Sequence, residues 1–439
     1  MEWNKRLSGI IVAVALFIYS TPVSAYQAMT HAAITNHVAS RTILSNEELM
    51  AGMGFDVIHP SPVDALLWTN EKGESECYTK AKDSNIDNLY CGAAIADHNW
   101  RNLNHYFDPR RNLALWPEAW LWQTAIDLGI IDWPPASNPD WALEDEGTIS
   151  GQTYSLQDAY RYFLMSKTRT TPEERKRREQ QLFLTLGHVL HNLQDMAQPA
   201  NVRNDFHSEY LTLLESPLLP LPIPIPTQPD PDYYERNTES LWKELPLTGY
   251  PDLNLKDFRT ARDFWLTDYS HTDGQWQGKG LAEFSNWNFV SKDSNFIGAG
   301  FSFIIAAEYP VFADPKYDHP VPEDVTLSEF GVHNTQGDGY PFTGWKGYVG
   351  NTVKDINQGT ESYNEKAATF PIVLFAPGRL KPSFRPIVAP LKLDTDTFEA
   401  ARQYLIPRAA AYSAGLVNYF FRGQMALKNI NCEPFGSKY

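Results

Sequence analysis

The stretch from Thr171 to Pro199 constrains the fold more than any other part of the chain. Thr171-Pro172-Glu173-Glu174 reads as a helix start, with Thr171 as cap, Pro172 in the first helical position and Glu174 completing a capping box. Leu182, Leu186, Val189, Leu193 and Met196 then recur at three- and four-residue steps, which predicts one buried face until Pro199 stops the helix. His188, His191 and Asp195 stand at i, i+3 and i+7 and share one side of that helix, beside the apolar stripe. A lone histidine in such a place is most often a hydrogen-bonded core residue. Two histidines with an aspartate point elsewhere, because a buried unpaired carboxylate is costly and a cation removes that cost.

The rest of the chain is long enough to surround such a helix. Its 439 residues, 43% of them hydrophobic, predict a globular protein of roughly two or three domains. The 13 Trp, 22 Tyr and 23 Phe need packing partners, which excludes a disordered tail. A formal charge of −16 offers no basic footprint for nucleic acid, although metal ions can bring an acidic enzyme to a single strand. At the N-terminus, Lys5 and Arg6 precede the apolar run from Gly9 to Tyr19 and the sequence TPVSA. That is the pattern of a signal peptide, residues 1–25, cleaved after Ala25, and it predicts a secreted or periplasmic protein. The apolar run is too short to span a bilayer, and no later stretch is apolar enough, so no integral membrane span is expected. Three cysteines do not make a disulfide scaffold, but in an exported protein Cys77 and Cys91 are close enough in sequence to pair.

No internal repeat divides the mature chain. Residues 26–315 read as a mainly helical domain, with turn-rich stretches near 71–92 and 134–152 and helical patterning again around 232–265. Within it, residues 216–231 (SPLLPLPIPIPTQPDP) form an extended proline-rich loop that can be neither helix nor central strand. Residues 316–393 are rich in Pro, Gly and Asp with short β-like runs such as FPIVLF and FRPIV, and read as an irregular, partly β insertion. Residues 394–439 carry a closing helix, from about Asp396 to Arg422, expected to pack back on the helical domain.

Three further segments hold histidines and carboxylates. ADHNWRNLNHYFDP offers Asp97, His105 and Asp108; YQAMTH places His31 close to the new N-terminus; RNDFHSEY offers Asp205, His207 and Glu209. Nitrogen and carboxylate donors without thiolates suit zinc, and incomplete protein coordination suits catalysis rather than a closed structural site.

In this order the segments resemble the zinc-dependent phospholipase C superfamily, in its bacterial branch, which also contains the fungal three-zinc single-strand nucleases. The resemblance covers residues 26 to about 210. It implies a phospholipase C-like helical fold and two or three zinc ions. Tyr26, where the family has Trp, would bind zinc through its amine and carbonyl, with His31 following. Asp97 and the His105 of an H-aromatic-aromatic-D-P string match two further ligands, and His191, Asp195 and Pro199 match an H-x3-D-x3-P string. The resemblance gives one zinc to Asp97, His105, His191 and Asp195, and a second to Tyr26, His31 and the shared Asp195. Asp97 and Asp195 are the catalytic carboxylates it implies, Asp97 as general base. A third zinc would take His207 and an acid, Glu209 or Glu235, but the family's remaining histidine is replaced here by Asn201. His188 reads as a core or supporting histidine.

The activity implied is hydrolysis of phosphate esters. The first expectation is a phospholipase C acting on phospholipid at a membrane surface, releasing diacylglycerol and a phosphorylated head group. An apolar loop at 216–226 touching lipid would serve it, and a rigid spacer packed on the domain explains that loop equally. A single-strand nuclease is the second reading, with Trp100 and Tyr106 as stacking rings. The third is a non-catalytic, zinc-stabilised binding protein that lost turnover with the change at Asn201. His98 and Asn102 stand where the family has head-group aromatics, so no choline preference is expected.

Overall fold

The structure, a computed structural model, describes residues 28–56, 58, 84–97, 101–115, 135–205, 233–267, 278–291, 319–321, 323–330, 344–373, 387–388 and 393–422. The chain is mainly helical, with α1 (Ala28–Arg41), α2 (Glu47–Gly52), α3 (Asn85–Ile95), α4 (Asn138–Leu143), α5 (Leu156–Thr168), α6 (Pro172–Asp195), α7 (Pro199–Val202), α8 (Tyr233–Ser240) and α9 (Leu281–Asn288). Strands β1 (Val325–Phe330), β2 (Gly344–Asp355), β3 (Thr360–Val373) and β4 (Ile387–Val388) form one antiparallel sheet in the order β1-β2-β3-β4. Helix α10 (Thr395–Phe421) closes the described chain. Residues 1–25, which the sequence reading takes as a signal peptide, and Tyr26, Cys77, His98, Trp100, His207, Glu209, the loop 216–231 and Cys432 lie outside the described residues.

Helix α6 is the central element and packs on α3 and α5. Its start follows expectation in part: the Glu174 N–H donates to the Thr171 hydroxyl at 3.2 Å, and Pro172 takes the first position. Its end differs. The helix stops at Asp195, four residues before Pro199, because Pro199 has no N–H to donate to the Asp195 carbonyl and its ring crowds that group. The Gln198 N–H takes the Asp195 carbonyl instead, at 3.0 Å, and Pro199 opens the short helix α7.

Two other expectations are corrected. Part of the stretch read as turns is α3, where Asn85, Asp87, Asn88 and Gly92 look like turn residues in sequence; Ser84 caps it by accepting from the Asp87 N–H. Most of 241–265 is not regular helix but short 3-10 turns after α8, because Pro246, Gly249 and Pro251 interrupt it.

Closing helix α10 packs on α1 and β3, as its apolar pattern requires. The half-buried Arg408 guanidinium pairs with Asp355 at the end of β2, 2.8 Å away, and lies over the rings of Phe284 and Tyr250. That cation joins sheet, α9 and α10 around one apolar core, which contains Ile34 and Val38 of α1, Leu186 and Val189 of α6 and Leu405 and Tyr412 of α10. Among the described residues no helix is long and apolar enough to cross a membrane.

Candidate metal centre

Close approach of two helix backbones sets the site. Gly92 of α3 faces Gly187 of α6, and a Cβ on Gly187 would lie 2.1 Å from the Leu89 carbonyl oxygen. A Cβ on Gly92 would meet the Leu184 carbonyl oxygen at 1.9 Å, so neither position admits a side chain. One turn further along α6, the same crossing brings the Ala93 carbonyl oxygen to 2.6 Å from His191 Nδ1. The carbonyl can only accept, so His191 carries its proton on Nδ1 and turns the Nε2 lone pair away from α3.

That lone pair enters a knot of donors. His191 Nε2 lies 3.4 Å from Asp97 Oδ1, 3.3 Å from Asp195 Oδ2 and 3.2 Å from His105 Nδ1. His105 Nδ1 is 2.9 Å from each of the same two oxygens. Ligands about 2.0–2.1 Å from a tetrahedral ion stand roughly 3.3 Å from one another, so His191 Nε2, His105 Nδ1 and Asp97 Oδ1 fit three corners of one coordination tetrahedron, with Asp195 Oδ2 beside the two histidines. Asp97 is placed by the turn that ends α3. His105 ends the 3-10 turn Arg101–His105, where its carbonyl accepts from the Asn138 side chain.

A second group shares this one. His31, on α1, stacks on His191 with ring centroids 3.7 Å apart, and its Nε2 lies 3.4 Å from Asp195 Oδ1. His31 Nδ1 is 2.8 Å from Gln194 Oε1, and the Gln194 amide donates to the Thr35 hydroxyl at 3.2 Å. With Nδ1 donating, Nε2 presents a lone pair to a carboxylate oxygen. Two acceptors that face each other repel unless a cation stands between them. Neither oxygen of Asp195 accepts a well-directed hydrogen bond among the described residues, though its side chain is fully buried. One carboxylate thus turns Oδ1 to His31 and Oδ2 to His105 and His191. His31, His191 and Asp195, and again Asp97, His105 and His191, are groups that could hold a metal ion.

Charge explains the titration behaviour of the metal-free protein. Burial opposes ionisation of Asp97, yet His191 and His105 outweigh it and hold the carboxyl well below its usual range. Asp195 is lowered by the same balance. Burial also disfavours charge on His105 and His191, but Asp195 and Asp97 overcome it and raise both, His191 strongly. Burial and the neighbouring His191 lower His31 despite Asp195, so it stays neutral more readily than its neighbours.

The structure therefore brings together His31, Asp97, His105, His191 and Asp195. His188 stands apart from both groups, stacked on Tyr154 with centroids 4.2 Å apart. Asp108 pairs with Arg111 and serves a turn. Buried Glu235 accepts from the Gln198 amide and belongs to neither group. Asn201 is fully buried, and no hydrogen bond reaches its side chain among the described residues. Sequence reading missed Gly92, Gly187, Gln194 and Thr35. It also missed Glu239 on α8, whose carboxylate accepts from the N–H groups of Met29 and Thr30 and so caps the helix that carries His31. Cys91 is disulfide-bonded, with its partner outside the described residues. Comparison with protein-family models, with curated proteins and with solved structures finds no match for this chain.

Proposed function

We propose that this protein is a secreted zinc-dependent phosphoric ester hydrolase of the phospholipase C type. The observation that carries the reading is the shared carboxylate of Asp195, which faces His31 with one oxygen and His105 and His191 with the other. Imidazole and carboxylate donors at tetrahedral spacing suit zinc, and the outer hydrogen bonds of His191 to Ala93 and of His31 to Gln194 are those expected of ligating histidines. The order of these five residues along the chain supports the phospholipase C-like fold that the sequence resemblance implies. A disulfide at Cys91 suits an exported protein.

Zinc ions held by these groups would supply Lewis acidity toward a phosphoryl oxygen and a bound water of lowered pKa. The protein's own residues do the rest. Buried Asp195, which faces His31 with one oxygen and His105 with the other, would supply negative charge to both cations. Ala93 and Gln194 fix the tautomers of His191 and His31, so both present Nε2 lone pairs without rearrangement. Asp97, held beside His105 and His191, would be the proton acceptor for the attacking water.

The test uses zinc-loaded mature protein with mixed phospholipid vesicles and, separately, with single-stranded DNA, each with and without a chelator. Chelator-sensitive release of diacylglycerol and a phosphorylated head group is the expected result. Cleavage of the DNA alone would move the reading to a nuclease, and turnover of neither would contradict an enzyme.

A further inference from the structure

Beside the stripe of metal ligands, α6 borders a second feature that the hydrolase reading does not use. A cavity of about 250 Å³ opens between α6, α5 and the chain before α5, and its lining includes Tyr154, Tyr162, Arg177, Gln180, Gln181 and Thr185. At a rise of 1.5 Å per residue, Thr185 and Arg177 lie about 9 Å and about 21 Å along the helix from His191. This is a separate site.

Two observations point to a ligand. Thr185 is fully buried, yet its hydroxyl has no hydrogen-bond partner among the described residues. A hydroxyl buried without a partner costs free energy that a bound polar group would recover. Arg177 stands in a run of four cations, and its neighbours are engaged: Arg175 donates to the Arg169 and Thr170 carbonyls, Lys176 to Asp56 and Glu179, and Arg178 to Gln181. Arg177 alone in that run has no described hydrogen bond or ion pair, and it borders the cavity.

The lining fixes the class of ligand. Among the described residues no carboxylate lines the cavity, in a chain whose net charge is −16. The one cation among the described lining residues is the Arg177 guanidinium, whose planar fork matches a phosphate. Two glutamine amides and a threonine hydroxyl can each give and take hydrogen bonds with hydroxyl groups, and the Tyr154 and Tyr162 rings border the cavity as apolar surface for the C–H side of a saturated ring. Small size and a few converging polar groups fit a single ring rather than a chain. We infer that this cavity is a binding site for a phosphorylated polyol, with Arg177 on the phosphate and Thr185, Gln180 and Gln181 on the ring hydroxyls. The inference stands on its own lining and does not depend on the hydrolase reading.

Calorimetric titration of the metal-loaded mature protein with glucose 6-phosphate, with glucose and with inorganic phosphate tests it, alongside flotation with vesicles that do or do not contain phosphatidylinositol. Glucose 6-phosphate is expected to bind more tightly than either of its parts, or the phosphatidylinositol vesicles to be retained selectively; which of these occurs identifies the source as a free sugar phosphate or a lipid head group. Arg177→Gln, at an exposed position, should weaken whichever binding is seen by about tenfold or more, and Thr185→Val, which keeps the shape and removes the hydroxyl, should weaken it further. Phosphate held at the metal centre would be indifferent to Arg177→Gln. Binding that survives both substitutions, inorganic phosphate binding as well as the sugar phosphate, or no binding of either probe would overturn the inference.

Discussion

His191 Nδ1 lies 2.6 Å from the Ala93 carbonyl oxygen, and that single hydrogen bond ties the chemistry of α6 to the backbone of α3. It exists because Gly92 and Gly187 let the two helices touch. Tautomer, ring orientation and donor geometry at His191 all follow from a packing contact.

The first prediction tests that dependence. Gly187→Ala would place a methyl group 2.1 Å from the Leu89 carbonyl and push the helices apart. Overpacking of this kind costs about 1–3 kcal/mol. Thermal unfolding should therefore shift down by several degrees, and zinc affinity should fall with it. Gly52→Ala is the control, because nothing lies within 4 Å of a Cβ there and the helix should tolerate or gain from alanine. Equal melting and zinc content for the two variants would remove the packing argument.

Gln194→Leu keeps volume but deletes the acceptor for His31 Nδ1. The His31 ring would lose the partner that fixes its tautomer. Loss of such a supporting bond typically weakens metal binding about 10–100-fold. The weakening should be confined to the ion that His31 binds, since His191 keeps Ala93. Competition titrations against a chromophoric chelator would show it as a shift in one of two steps, and an unaltered titration would reject the role of Gln194.

Proton linkage gives a third prediction. Without metal, His105 and His191 have pKa values raised above 6.5 by the two aspartates. Their contribution to stability is complete below pH 6.5 and is lost as pH rises through the raised values. Asp97 and Asp195 are lowered from 3.8, so theirs is complete above that value and lost only as pH falls through the lowered ones. Chelator-treated protein should thus lose stability as pH is raised from 6.5. Zinc uptake displaces the histidine protons, so the stabilisation conferred by zinc should grow over the same range. Melting curves with and without chelator measure both trends, and a gap that narrows with rising pH would contradict the assignment.

Much of the site was legible because its chemistry is local. His191 and Asp195 announce themselves by spacing on a patterned helix, and the helix by its cap and its proline. What escaped was long-range. Nothing in the periodicity of α3 says that Gly92 meets Gly187, and Gln194 looks like any polar helix residue until Thr35 and His31 are beside it. Strands β2 and β3 were legible only as a β-containing region, because Gly, Lys, Asn and Glu dilute their alternation and the pairing of Val353 with Ser362 is decided by the partner strand. Glu239 caps α1 from 209 residues away, a relation that local sequence does not encode.

The shared carboxylate is the central claim, and metal content of purified variants tests it most directly. Elemental analysis of mature wild-type protein, His31→Ala and Asp195→Asn, each equilibrated with zinc and passed through a desalting column, compares the three. With His191 Nε2 serving one ion only, wild-type protein should hold two ions, one beside Asp97, His105 and His191 and one between His31 and Asp195; His31→Ala should lose one, and Asp195→Asn should lose at least one and most activity, because a neutral amide cannot balance two cations. Undiminished zinc in folded Asp195→Asn would contradict the account.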